Sequence, residues 1–113
     1  MSVNGLILER KHKMKKIVLF CANGFTTAMM AKKLKEAIDK QGLDYDSAAY
    51  PYSEIDDRGP EADIILLGPQ VRYNLKHVKE KFPNTPSVVL DMATYAKMDG
   101  EKIFAQVREI LEK

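Results

Sequence analysis

The sequence predicts a doubly wound α/β domain, and three features of its 113 residues carry that expectation. Short continuous apolar runs recur at Ile17-Val18-Leu19-Phe20, Ile64-Ile65-Leu66-Leu67 and Ser87-Val88-Val89-Leu90, the form of strands buried on both faces. Between them lie segments whose apolar residues recur at helical spacing, long enough to cross back over a sheet. Gly, Pro and Asn punctuate the joins. Such alternation specifies parallel pairing through crossover helices, here in about four strand–helix units. A chain of this length with 45% hydrophobic residues builds one core, so a single domain is expected.

Met14-Lys15-Lys16 opens the first strand, which ends in Cys21-Ala22-Asn23-Gly24. Thr26 or Thr27 is placed to cap a helix with Ala28, Met29, Met30, Ala31, Leu34, Ala37 and Ile38 on its apolar face and Lys32, Lys33, Lys35 and Glu36 opposite. Gln41-Gly42 stops it. Residues 43–50 alternate, and Tyr45, Ala48 and Ala49 suggest a strand, followed from Pro51 by an irregular or short helical stretch through Gly59-Pro60. Residues 63–67 form the next buried strand, ended by Gly68-Pro69, and residues 71–82 read as an amphipathic helix closed by Pro83. The third apolar run sits between Pro86 and Asp91. Asp99 then caps a last helix carrying Ile103, Phe104, Val107, Ile110 and Leu111. Met14 before a strand is a natural first residue. The domain is therefore expected over 14–113, with 1–13 an N-terminal extension, either an upstream start or a cloning remnant.

Charge and composition exclude several function classes. The formal net charge is +2, and Arg10, Lys11 and Lys13 against Glu9 account for all of it, leaving 14–113 neutral. A neutral body lacks the electrostatic footprint of a nucleic-acid binder. No apolar run approaches the roughly 20 residues that span a bilayer, and Leu6-Ile7-Leu8 is too short for a secretory leader. The single cysteine, Cys21, excludes an internal disulfide framework and fits a reducing cytoplasm, while two histidines at this spacing support no zinc cluster. No metal or cofactor is expected.

In a doubly wound sheet, ligands bind beyond the carboxyl ends of the strands. That edge contains residues 21–27, 68–73 and 91–94. The first of these, Cys21-Ala22-Asn23-Gly24-Phe25-Thr26-Thr27, joins a buried strand to a helix, so backbone N–H groups and the positive helix end converge on an anion site. Gly24 permits a positive φ or close backbone approach, and the two threonine hydroxyls can donate to an oxyanion or cap the helix. A cysteine in that field favours thiolate. The local pattern leaves a plainer reading open, in which Cys21 is a small hydrophobe closing a strand, Gly24 a turn residue and the threonines caps. The loop lacks the lysine of a Walker A site and the glycines of a dinucleotide site. It also lacks the arginine that cysteine-dependent phosphatases carry six positions after the nucleophile, where Thr27 stands, and this suits a phosphoryl relay better than hydrolysis.

These motifs resemble a known family, the IIB subunits of the lactose, cellobiose and chitobiose class of sugar phosphotransferase systems. The resemblance runs from Lys15 to the C-terminus and rests on residues 16–27, Asp63-Ile64-Ile65-Leu66-Leu67-Gly68-Pro69-Gln70-Val71, Asp91-Met92-Ala93-Thr94-Tyr95 and Met98-Asp99-Gly100. It implies a single three-layer domain, a four-stranded parallel sheet with helices on both faces, and a phosphate-binding loop after strand one shaped like that of low-molecular-weight tyrosine phosphatases. It implies that Cys21 is the phosphocysteine of a protein-phosphohistidine–sugar phosphotransferase. By position, Ala22, Asn23, Gly24, Phe25, Thr26, Thr27 and Ala28 would bind its phosphate. Asn23 departs from the small residue often found there. The donor would be a IIA subunit and the acceptor a cellobiose- or chitobiose-like sugar held by the membrane transporter IIC, with the chain itself cytoplasmic and only transiently at the membrane.

The alternatives are a low-molecular-weight cysteine phosphatase and a non-enzymatic phosphate-sensing module. Phe25 is the candidate docking anchor, with helix packing as its plainer role. Gln70, Arg72 and Tyr73 are placed to line the rim, although a solvated arginine at a helix start is the plainer reading of Arg72. Asp91 reads as a cap, His77 as a surface residue, and Met29, Met30, Met92 and Met98 as core or rim packing.

Overall fold

The computed structural model describes residues 14–22 and 24–112, with backbone alone at 24–27. The expected extension 1–13 lies outside the described residues. Strand β1 (Lys15–Cys21) is followed by helix α1 (Gly24–Gln41), β2 (Tyr45–Pro51), α2 (Ile55–Arg58) between two 3₁₀ turns, and β3 (Ile64–Leu67). A 3₁₀ segment (Pro69–Asn74), α3 (Leu75–Lys81), β4 (Ser87–Val89), α4 (Met92–Ala96) and α5 (Gly100–Leu111) complete the chain. All strand pairs are parallel, in the order β2-β1-β3-β4.

Strand periodicity divides the core in two. Ile17, Leu19 and Cys21 of β1 join Ile64, Leu66 and Leu90 beneath α1 and α5, where Met30, Leu34, Ile38, Ile103, Phe104 and Val107 pack. Val18 and Phe20 point the other way, with Ile65 and Leu67, against Ile55, Val71 and Val78. Every β1 residue from Ile17 onward is buried because the strand is central and covered on both faces. The edge strand β2 buries Tyr45 and leaves the rest half-exposed, which accounts for its weaker hydrophobic signal.

Helix α1 ends as its sequence requires: Gly42 takes φ +65° and its N–H bonds the carbonyls of Ile38 and Asp39. Asp99 caps α5, accepting from the Lys102 amide at 3.0 Å. Two expectations are corrected. Helix α1 begins at Gly24 rather than after a threonine cap, so Thr26 and Thr27 fall inside its first turn. The helix expected over 71–82 is shorter, because Val71 leaves helical geometry (φ −115°, ψ 21°) to bury its side chain, and regular helix starts only at Leu75.

Candidate functional site

The strand order reverses direction between β1 and β3, and this switch point is where an open α/β sheet forms its crevice. Cys21 stands at the carboxyl end of β1 and Gly68 follows β3. The Gly68 amide bonds the Phe20 carbonyl at 2.9 Å, which holds the two strand ends side by side. A Cβ at Gly68 would lie 2.9 Å from Cys21 Sγ and 3.1 Å from Gln70 Oε1, so a side chain there would crowd the sulphur. Leu90 extends the ladder to β4 by bonding the Leu67 carbonyl at 2.9 Å, and this fixes where α4 begins.

Three segments therefore converge on one sulphur. Cys21 is 1% exposed. It lies 2.9 Å from the Tyr95 hydroxyl and donates to Gln70 Oε1 at 3.2 Å. Tyr95 is 4% exposed on α4, whereas Gln70 is exposed on the 3₁₀ segment after β3. Asp91 anchors α4, accepting from the Thr94 amide at 3.1 Å and the Thr94 hydroxyl at 2.6 Å, and these bonds hold its carboxyl below the usual carboxylate range.

Only the Ala22-Asn23 pair separates Cys21 from the first turn of the 18-residue α1. The first amides of a helix have no intrahelical acceptor, so Gly24 to Thr27 offer N–H groups and the positive dipole end next to the thiol. Asn23 and the side chains of Phe25, Thr26 and Thr27 lie outside the described residues; Ala22 and Ala28 are exposed beside them.

Arg72 is spent on its own turn, donating to the Pro69 carbonyl at 2.9 Å and the Tyr73 hydroxyl at 2.7 Å, with its guanidinium 4.5 Å from the Tyr73 ring centroid. Asp91 is a cap, as its sequence suggests, and His77 is exposed on α3. Met30 is buried and Met98 packs partly against the core. Met29, Met92 and Tyr73 are exposed. Sequence reasoning missed Tyr95 as a partner of the thiol. It was visible only as part of the 91–95 motif, since nothing local says that α4 turns this ring inward. Among the described residues no three His, Cys, Asp or Glu side chains group to hold a metal, and no helix is long and apolar enough to cross a membrane.

A four-stranded parallel sheet with a thiol at its switch point and a helix N-terminus adjoining it defines a doubly wound α/β domain. The model of the family described as "PTS system, Lactose/Cellobiose specific IIB subunit" matches residues 16–106, and the chain belongs to that family. The galactose-specific EIIB component of Lactococcus lactis subsp. cremoris (strain MG1363) is 32% identical over 104 residues, covering 86% of this chain and 96% of the relative. The cellobiose-specific EIIB component of Lactococcus lactis subsp. lactis (strain IL1403) has the same identity and coverage. Among solved structures, the lactose-specific IIB domain from Streptococcus pneumoniae superimposes with a TM-score of 0.79 at 23% identity, over 86% of this chain and 97% of that one. The chain is thus a sugar-specific IIB component of the phosphotransferase system.

Proposed function

We propose that Cys21 is the phosphoryl carrier of this component. Its thiolate attacks the phosphorus of a phosphohistidine on a IIA subunit; the P–N bond breaks and the imidazole leaves. A hydroxyl of a sugar held by IIC then attacks the phosphocysteine, the P–S bond breaks, and the thiolate is restored while a base takes the hydroxyl proton. The sugar is a β-linked disaccharide of the cellobiose or chitobiose kind. A relative's cellobiose specificity supports this reading.

One observation carries the assignment: the chain's single cysteine sits at the β1/β3 switch point, beside the N-terminus of α1 and in contact with Tyr95 and Gln70. The amides of residues 22–28 then cradle the phosphate in a phosphatase-like loop, preorganised where negative charge develops. Thr27 in place of the phosphatase arginine leaves water attack poorly supported, which favours transfer over hydrolysis. The exposed side chains of Met29, Tyr73 and Met92 offer partners apolar contacts on which to dock in turn, IIA first and IIC second.

The test is intact mass and peptide mapping after incubation with phosphoenolpyruvate, the general phosphotransferase proteins and a IIA partner. One added phosphoryl group on Cys21 is expected. Cys21→Ser should abolish transfer while the circular dichroism spectrum stays unchanged, because serine is nearly isosteric but a far weaker nucleophile at neutral pH. Phosphate mapped elsewhere, or transfer retained in the variant, overturns the assignment.

A further inference from the structure

Among the described residues, two contacts of Cys21 Sγ are chemically unequal. A thiol carries one proton, and Gln70 Oε1 at 3.2 Å is an acceptor, so the S–H points there. The Tyr95 hydroxyl at 2.9 Å then donates to a sulphur lone pair. Tyr95 is locked by burial on a capped helix, whereas Gln70 is exposed and free to turn. Ionisation of the sulphur breaks this symmetry. A thiolate has no proton to give, and a carbonyl oxygen facing its lone pairs is repelled. A half-turn of the Gln70 carboxamide replaces Oε1 with the Nε2 donor in nearly the same place.

We infer that Gln70 and Tyr95 form a two-part clamp on the reacting sulphur, in which Tyr95 is a fixed donor and the Gln70 carboxamide turns from acceptor to donor as the thiol becomes thiolate. The inference rests on Cys21 as the phosphoryl carrier. It supplies what a relay needs that a one-way nucleophile does not. A strongly stabilised thiolate is a good leaving group but a weaker nucleophile. With Tyr95 as its fixed side-chain donor the sulphur stays reactive toward phosphohistidine, and the added Gln70 donor that swings in supports it as leaving group when the sugar hydroxyl attacks. Gln70, being the exposed side of the contact, is also the part that can move aside for the phosphoryl group.

The charged side chains on the 3₁₀ segment and at the head of α4 are engaged elsewhere. Asp91 faces Thr94, and Arg72 faces Pro69 and Tyr73. Helix α1 carries no acid or base from Gly24 to Ala31.

The experiment uses the full chain, whose single cysteine makes thiol reactivity a clean readout. Iodoacetamide alkylation rates are measured from pH 5 to 10 for the unaltered protein, Gln70→Glu, Gln70→Met and Tyr95→Phe, alongside single-turnover phosphorylation by IIA and release to sugar. Gln70→Glu places a carboxylate against the sulphur and should raise the alkylation midpoint by about one pH unit or more. Tyr95→Phe should raise it by a smaller amount and slow both transfer steps. Gln70→Met, nearly the same shape without donor or acceptor, should slow release to sugar by roughly tenfold more than it slows charging from IIA.

Alkylation profiles that superimpose on the unaltered protein in Gln70→Glu and Tyr95→Phe overturn the clamp. So does equal slowing of both steps in Gln70→Met. Gln70 is exposed, so its variants keep the test decisive if Tyr95→Phe folds poorly. Failure of the carrier assignment itself would read differently: the unaltered protein would take no phosphate on Cys21, while the alkylation profiles would still report the clamp.

Discussion

At the scale of single residues, the site is shaped as much by what is missing as by what is present. Gly68 has ordinary extended dihedrals (φ −65°, ψ 157°), so its backbone does not demand glycine. The demand comes from the sulphur, because an added Cβ would meet Cys21 Sγ at 2.9 Å and Gln70 Oε1 at 3.1 Å. The Cys21 side chain is walled in, and Gln70 is the softer neighbour. Gly68→Ala should therefore push the carboxamide off the sulphur and shift the thiol itself. Displacements of about 1 Å at a reacting atom cost roughly 10- to 100-fold in rate. The expected result is a folded protein with a lowered urea midpoint, from overpacking beside the buried sulphur, and single-turnover phosphorylation slowed by that factor. A rate within twofold of the unaltered protein would mean that the pocket relaxes around the methyl group and that sulphur placement is not critical.

At the scale of elements, the sequence is most informative where one signal decides the outcome. The runs 17–20 and 64–67 are fully apolar because both faces of the central strands are covered, so β1 and β3 are readable without further context. Gly42 and Asp99 mark helix ends by local chemistry that needs no tertiary partner. Legibility fails where tertiary contacts compete. Val71 lies in a segment with helical spacing, yet burial against Ile65 and Leu67 draws it out of the helix. The candidate site divides in the same way. Cys21 is legible from strand-loop-helix order, whereas the Tyr95 contact depends on α4 docking 74 residues away in sequence.

That docking hangs on Asp91, whose carboxylate takes both the amide and the hydroxyl of the 2% exposed Thr94. Asp91→Ala would leave a buried hydroxyl without its acceptor and α4, only five residues long, without its cap. It should lower the melting temperature and slow phosphorylation together, with Asp91→Asn recovering most of both because it keeps an acceptor. The Asp91 carboxyl is held below its ordinary value of 3.8, so its contribution is present above that pH and is lost as pH falls through the lowered value. Loss of stability in Asp91→Ala with no change in transfer would detach α4 from the chemistry.

At the scale of the whole molecule, the end of the sheet opposite the sulphur is closed by a separate polar corner. Tyr45, at the start of β2, sets its ring edge-on to Phe104 (centroids 5.0 Å apart, planes at 83°) and donates its hydroxyl to Glu112 Oε2 at 2.7 Å. Arg108 binds the same carboxylate and reaches Gln41 Oε1 at 2.9 Å, so β2, the end of α1 and the end of α5 meet there. Burial, followed by the bond to Glu112, pushes the Tyr45 hydroxyl up from 10 to about 12. The folded state then holds this proton more tightly than the unfolded chain. The contribution is fully present below pH 10 and is lost as pH rises from 10 toward 12.

Tyr45→Phe keeps the ring against Phe104 and removes the ionisable group. At pH 8 the variant should be the less stable, having lost the bond to Glu112. Between pH 10 and 12 its disadvantage should shrink and then reverse, because only tyrosine must give up a proton to unfold. Urea midpoints by circular dichroism at pH 8, 10 and 11.5 measure this, with lysine titration common to both chains and cancelling in the difference. A gap that stays constant across the range would mean that the Tyr45 hydroxyl titrates alike in the folded and unfolded chains. A gap that closes, in a single transition that also exposes Cys21 to alkylation, would mean that the corner at Tyr45 and the site at the far end of the sheet unfold as one unit.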